Sequence, residues 1–195
     1  EHIIFSAENS LKNLNTDYID ILLIHRPDPL LHADEVAEAF TQLKQQGKVN
    51  HFGVSNFTVE QTALLQSRFP LCMNQVEISI LHMEAFTNGV LDQCQQYGLL
   101  ATAWSPLGGG NLFSDTEDER NKRIIAVAEM LAQKYQHTPD QILLNWLMKH
   151  PSGIIPVTGT SKAERIRAAA QAASFTISRE EWFLLWRASA GREVA

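Results

Sequence analysis

Three short apolar runs of this chain end abruptly in polar side chains: Leu-Leu-Ile-His-Arg-Pro-Asp at 22–28, Phe-Gly-Val-Ser-Asn-Phe at 52–57 and Met-Asn-Gln-Val-Glu at 73–77. An imidazole such as His25 can orient an oxygen and pass a proton. Primary amides donate and accept hydrogen bonds at once, so Asn56 and Gln75, beside the Ser55 hydroxyl, suit a ligand that carries a carboxamide. Plainer work suits the same residues. A strand-end histidine can be a structural hydrogen-bonding group, Pro27 and Asp28 can make a turn, and Ser and Asn are ordinary helix N-caps. Trp104 closes a further apolar run and offers a flat face, for stacking or for core packing. Downstream, Gly159-Thr160-Ser161-Lys162-Ala163-Glu164-Arg165-Ile166-Arg167 sets cations at the start of a helical pattern, where each opposes the macrodipole by roughly a few tenths of a kcal/mol. A phosphate there would reverse the sign, accepting from backbone N–H groups and hydroxyls while Lys162 and Arg165 neutralise it. A solvated helix start, with Glu164 offsetting the charge, is the competing reading. No histidine or cysteine has the spacing of a metal ligand set, so no metal is expected.

Groups of this kind can converge only if the strands that carry them end at one rim. His2 to Asn15 repeats apolar positions at helical spacing, and the run to His25 that follows is nearly continuous and of strand length. The alternation continues with a helix over 33–46 closed by Gly47, a strand over 50–54, a helix over 59–67, a strand over 72–76, a helix over 86–97 closed by Gly98 and a strand over 99–104. Ser105 to Asp115 reads as a Gly-rich loop of a length that is more often functional than decorative. Helices over 121–135 and 139–149 come next, the second with Thr138 as N-cap and Pro139 in its first turn. A last strand is expected over 153–157 and a helix over 161–172. Ser178 followed by Glu181 forms a capping-box pattern that opens a terminal helix packed by Trp182, Leu185 and Trp186. Such alternation implies a parallel sheet, and polar groups at strand ends fit a parallel β/α barrel. Five strands are legible, whereas a barrel has eight and commonly about 250 residues; a smaller open α/β sheet is the alternative.

With 195 residues and 45% apolar composition, the chain is expected to form a single domain over 1–195. At that size it can bury roughly 70% of its unfolded surface. The 16 basic and 22 acidic residues give a net charge of -6 without a long basic run, which argues against nucleic acid as a partner. No apolar run approaches the ~18 residues of a membrane span, and the opening Glu-His-Ile-Ile-Phe-Ser lacks a secretory pattern, so a cytoplasmic protein without membrane contact is expected. Isolated Cys72 and Cys94 read as partly buried core thiols of a reducing compartment. Glu1 opens inside an amphipathic pattern and reads as an internal start.

Taken together, His25 after its apolar strand, Gly53-Val54-Ser55-Asn56-Phe57, Asn74-Gln75-Val76-Glu77, Trp104-Ser105-Pro106-Leu107-Gly108 and the Gly-Thr-Ser-Lys with Glu-Arg-Ile segment resemble the aldo-keto reductases. The order and spacing match over essentially the whole chain. Within the family the chain is most similar to bacterial oxidoreductases whose fourth strand ends in His-Arg-Pro-Asp-Pro. The resemblance implies a (β/α)8 TIM barrel, here truncated to about its last five strands with their helices. It also implies NADPH as cofactor and small aldehydes or ketones as substrates, reduced to alcohols by hydride transfer. By the same resemblance His25 orients the carbonyl oxygen and assists proton transfer. Ser55, Asn56 and Gln75 hold the carboxamide, and Trp104 takes the place of the aromatic that stacks on nicotinamide. Ser105, Leu107 and Gly108 line the pyrophosphate. Gly159, Thr160, Ser161, Lys162 and Arg165 grip the adenosine 2'-phosphate, favouring NADP over NAD. Ala168 and Ala169 stand where the family often has polar adenine contacts.

The family's proton-donating tyrosine, with its lysine and aspartate, belongs to the first three barrel strands, expected before Glu1. Tyr18 lies at the wrong end of its strand, and Tyr97 and Tyr135 fall on helix ends. A missing general acid typically removes ~10²–10⁴ in rate, so the chain alone is expected to be inactive and its full-length parent to be the reductase. A cofactor-binding regulatory or non-catalytic module of the same fold is the alternative. The first and last strands would be open edges that invite self-association. Substrate, reaction direction and oligomeric state are not set by these residues.

Overall fold

Helix and strand alternate through α1 (His2–Leu14), β1 (Ile19–Ile24), α2 (Ala33–Gln45), β2 (Val49–Ser55), α3 (Val59–Gln66), β3 (Met73–Glu77), α4 (Val90–Tyr97) and β4 (Leu100–Trp104). The rest comprises α5 (Asn111–Ser114), α6 (Glu119–Tyr135), α7 (Pro139–Met148), β5 (Ile155–Pro156), α8 (Ala163–Gln171) and α9 (Arg179–Ala190). These elements come from a computed structural model that describes residues 1–114 and 117–194. The observed pairings, β1 with β2, β2 with β3 and β4 with β5, are all parallel, as alternating α/β units require. Two compact units result, one of Glu1–Val76 with Gly89–Ala101 and the other of Glu77–Asn88 with Thr102–Ala195.

In the first unit, Phe40 of α2 stacks on Phe52 of β2 with ring centroids 4.2 Å apart, and Phe69 meets both edge-on. Such pairs add about 0.5–1.5 kcal/mol each beyond their burial. Gly53 follows Phe52 because a Cβ there would stand 2.7 Å from both Leu23 Cδ2 and the Met73 carbonyl oxygen. Its absence lets β1 and β3 close on β2. Thr58 and Gln61 form a reciprocal capping box that starts α3.

The second unit packs around Trp146 of α7 and Trp182 of α9, whose rings stack at 5.1 Å. Each indole N–H donates to the other residue's backbone carbonyl, at 3.0 and 2.9 Å, so neither buried donor is left unpaired. Buried Asn145 staples the segment after α8. Its Nδ2 donates to the Ala172 and Phe175 carbonyls, and its Oδ1 accepts from the Ile177 N–H. The Ser178–Glu181 capping box opens α9 as the pattern predicts, and Leu185 is buried, with Trp182 and Trp186 in contact at 5.0 Å.

Several boundaries differ from the periodicity. The helix expected over 86–97 begins only at Val90: Phe86 lies in a 3-10 turn and packs on Trp146, Trp182 and Trp186 of the second unit, whereas α4 belongs to the first. The chain changes unit between them, at Gly89, whose φ of 85° permits the turn. The strand expected over 153–157 shortens to Ile155–Pro156, because proline offers no ladder N–H and Gly153 sits in a turn at φ 65°. The helix expected over 161–172 starts at Ala163, with Lys162 in the N-cap position. The stretch read as a Gly-rich loop contains a 3-10 turn at Gly108–Gly110 and the short helix α5; Asp115 at its end lies outside the described residues.

Candidate functional site

In the first unit, parallel register alone brings the polar strand ends level. Ile24 pairs with Val54, so His25 follows at the height of Ser55, and Ser55 pairs with Gln75. Ser55 Oγ donates to the Gln75 carbonyl at 2.8 Å, and the Asn56 N–H donates to the same oxygen at 2.8 Å. Asn56 Nδ2 reaches Ser55 Oγ at 3.1 Å and the His25 carbonyl at 3.4 Å. Asn56 is left-handed, at φ 60°, a conformation that asparagine tolerates better than other residues with a Cβ. The Ser55 hydroxyl, 3% exposed, therefore already works as a clasp between β2 and β3. The half-buried Gln75 carboxamide makes no hydrogen bond to any described residue, and His25 is exposed. The rim thus presents an imidazole and an amide on a hydrogen-bonded base.

In the second unit, a cavity of about 880 Å³ opens beyond the end of β4. Trp104, Ser105, Pro106 and Leu107 form one wall, and Thr158, Gly159 and Thr160 after β5 form another. Phe113 of α5, Asp140 and Leu144 of α7, and Arg165 and Ala169 of α8 complete the lining. Ser105 is also left-handed, at φ 48°, a costly conformation of the kind that collects at ligand clamps. The lining is mostly apolar, and its charged members are Asp140 and Arg165. Neither side chain has a hydrogen-bond or ion-pair partner among the described residues. At the start of α8 no side chain caps the helix: Thr160 Oγ1 takes the Lys162 N–H at 3.2 Å, and the Ala163 and Glu164 N–H groups have no partner among the described residues. That turn is suited to an anion.

Of the residues singled out from sequence, Trp104, Ser105, Leu107, Gly159, Thr160 and Arg165 line this cavity, while Gly108, Ser161 and Lys162 do not. Gly108 serves packing: a Cβ would meet Leu81 Cδ1 at 2.8 Å. Asp140, Leu144 and Phe113 escaped the sequence reading, while Ala169, noted there only for its lack of a polar group, lines the cavity. The i, i+4 spacing of Asp140 with Leu144 and of Arg165 with Ala169 puts each pair on one helix face, but periodicity cannot say that the two faces share a cavity. Cys94 is buried, which pushes its thiol up to about 11, and Cys72 is half-buried; neither is bridged. Among the described residues no three His, Cys, Asp or Glu side chains gather as a metal set, and no helix is long and apolar enough to cross a membrane. Tyr18 precedes β1, Tyr97 closes α4 and the Tyr135 hydroxyl donates to Glu181 at 2.6 Å, so no tyrosine stands at a strand's C-terminal end.

Comparison with known proteins gives a consistent picture. The sequence profile of the Aldo/keto reductase family matches residues 1–188. The chain is 48% identical to the oxidoreductase YdhF of Escherichia coli (strain K12) over 100% of its own length and 65% of that protein. It is 42% identical to the 6-dehydroglucose reductase of Agrobacterium fabrum (strain C58 / ATCC 33970), again over 100% of this chain and 65% of the relative. Among solved structures it resembles the thermostable aldo-keto reductase Tm1743, determined with the inhibitor epalrestat, with a TM-score of 0.85 and 30% identity over 95% of this chain and 65% of that one. The chain therefore spans 65% of the length of each of these relatives.

Proposed function

Because the chain belongs to the Aldo/keto reductase family, we propose that it is the cofactor-holding part of an NADP(H)-dependent reductase that converts aldehydes or ketones to alcohols. In this reading its strands are five of the eight of a (β/α)8 barrel, and full activity belongs to a protein of its relatives' length. Arg165 carries the proposal: it is a cation without a partner among the described residues, in a cavity wall beside an uncapped helix start. That arrangement suits a phosphate, which accepts from the free Ala163 and Glu164 N–H groups while Arg165, with Lys162 next to them, neutralises its charge. The adenosine 2'-phosphate of NADP is such a group and NAD lacks it. In the first unit the Gln75 amide, without a partner among the described residues and with Asn56 held beside it by Ser55, suits a carboxamide. In the second unit, taken by itself, Trp104, Ser105 and Leu107 offer a flat and apolar wall that suits a ring. When bound, the nicotinamide supplies the hydride. His25, at the same rim, would orient a substrate carbonyl oxygen and help move a proton to it.

Fluorescence titration with NADPH and NADH tests this, on the wild-type chain and on Arg165→Ala and Lys162→Ala. Saturable binding that favours NADPH and loses about tenfold in either variant is expected, the size of one charge-assisted contact. Equal binding of both cofactors, or variants indistinguishable from wild type, would remove the phosphate assignment. The placement of the tyrosines favours one second reading for the 195 residues taken alone, a cofactor-binding module without turnover. NADPH oxidation across a panel of aldehydes and ketones distinguishes the two.

A further inference from the structure

Within the second unit, Arg120 in the first turn of α6 spends its guanidinium outside its own helix. Its Nη2 shares its protons among the Leu81 carbonyl at 2.9 Å, the Ile80 carbonyl at 3.2 Å and Ser189 Oγ of α9 at 2.9 Å, and its Nε reaches the same hydroxyl at 3.2 Å. Buried Ser189 in turn donates from Oγ to the Ile80 carbonyl at 2.6 Å. Joining α9 to α6 does not require this reach. Arg123 Nε donates to the Ala188 carbonyl at 3.1 Å, and Lys134 and Tyr135 both donate to Glu181. The surplus goes to the turn at Ser79–His82, where the Ser79 and His82 backbones also bond reciprocally. That turn presents Leu81, whose Cδ1 would stand 2.8 Å from a Cβ at Gly108. Leu81 therefore fills the space that a residue without a side chain leaves beside Gly108. The Gly108 N–H donates to the Ser105 carbonyl at 2.8 Å, closing the turn in which Ser105, Pro106 and Leu107 form one wall of the cavity.

We infer that Arg120 is a positioning residue: by fixing the Ile80 and Leu81 carbonyls it seats Leu81 against Gly108 and so holds the Ser105–Leu107 wall in place. Its consequence for cofactor affinity rests on the NADP(H) reading above. A guanidinium suits the task, because its planar fork meets several acceptors in one fixed geometry, whereas lysine is a point charge on a flexible stem. Sequence position hides the role, since an arginine in the first turn of a helix reads as a solvated cation placed against the dipole.

Hydrogen exchange read by mass spectrometry on the unliganded chain tests the wall directly, in wild type, Arg120→Lys, Leu81→Ala and their double variant. Arg123→Ala is the control, since it loosens the same two helices without touching the turn. Exchange over 105–110 should quicken about tenfold in Arg120→Lys and in Leu81→Ala, the size of one hydrogen bond to a charged group. The double variant should stay within about twofold of the faster single, as members of one chain of contacts do. Arg123→Ala should lower the thermal midpoint and leave that exchange within about twofold of wild type. Unchanged exchange in Arg120→Lys, an equal rise in Arg123→Ala, or a double variant whose rise is the product of the singles overturns the positioning role. Fluorescence titration extends the test to the cofactor. Arg120→Lys should weaken NADPH and NADH by the same factor and keep the preference between them, whereas Arg165→Ala should change the preference. Unchanged affinity in Arg120→Lys overturns the consequence for the cofactor. A folded wild type that binds neither cofactor removes the NADP(H) reading, and the exchange result then decides the role of Arg120 by itself.

Discussion

Gly53 shows at the residue scale how one position of a motif can serve the site without touching a ligand. It lies two residues before Ser55, and its missing side chain lets Leu23 and the Met73 carbonyl approach to where a Cβ would be 2.7 Å from each. Gly53→Ala must push β1 or β3 away from β2, and with them the register that sets His25, Ser55 and Gln75 level. Overpacking of this kind costs about 1–3 kcal/mol, so the urea midpoint should fall while the m-value holds. An unchanged midpoint would mean that the strands separate without penalty. Asn56 and Ser105 are a second case. Both adopt positive φ at strand ends, and a sequence shows such a residue type without showing the conformation.

At the scale of elements, one carboxylate ties the start of α9 to the end of α6, while Arg120 and Arg123 tie the other end through Ser189 and the Ala188 carbonyl. Glu181 accepts from Lys134 Nζ at 2.6 Å, from the Tyr135 hydroxyl at 2.6 Å and, as part of its capping box, from the Ser178 N–H at 2.7 Å. Burial pushes the carboxyl up, but these donors outweigh it and hold Glu181 below its ordinary value. The unfolded chain therefore takes up this proton first on acidification. The stabilisation is complete above the unfolded value of about 4.3, and it is lost as the pH falls through the lower folded value. Thermal melts from neutral pH down through that window should show the wild-type midpoint falling more steeply than that of Glu181→Gln. Parallel curves would assign the acid sensitivity to other carboxylates.

For the molecule as a whole, the exposed edge of β1 has the clearest consequence. β1 pairs with β2 on one side, no strand among the described residues lies on the other, and Ile21 and Tyr18 are 36% and 51% exposed. Such an edge is a template for another chain, and lysine is the usual guard against it. Sedimentation velocity should show association that grows with concentration and is reduced by Ile21→Lys; a wild-type chain that stays monomeric at high concentration would dismiss the edge as a contact. Much of this architecture was legible from residue order. The alternation of periods predicted the parallel α/β arrangement, the register of apolar runs predicted that His25, Ser55 and Gln75 end level, and Ser178 with Glu181 predicted the start of α9, because these features depend on neighbours within a few residues or one strand apart. Tertiary structure alone decided that the helix after Phe86 breaks at Gly89, since Phe86 is claimed by tryptophans some 60 to 100 residues away in sequence. It also turned Ser55 into a clasp and Gly108 into a packing position, and it brought Asp140 of one helix and Arg165 of another into a single cavity. A sequence lists which chemical groups exist and which helix or strand face they share; which faces meet is settled only when distant side chains compete for the same buried space.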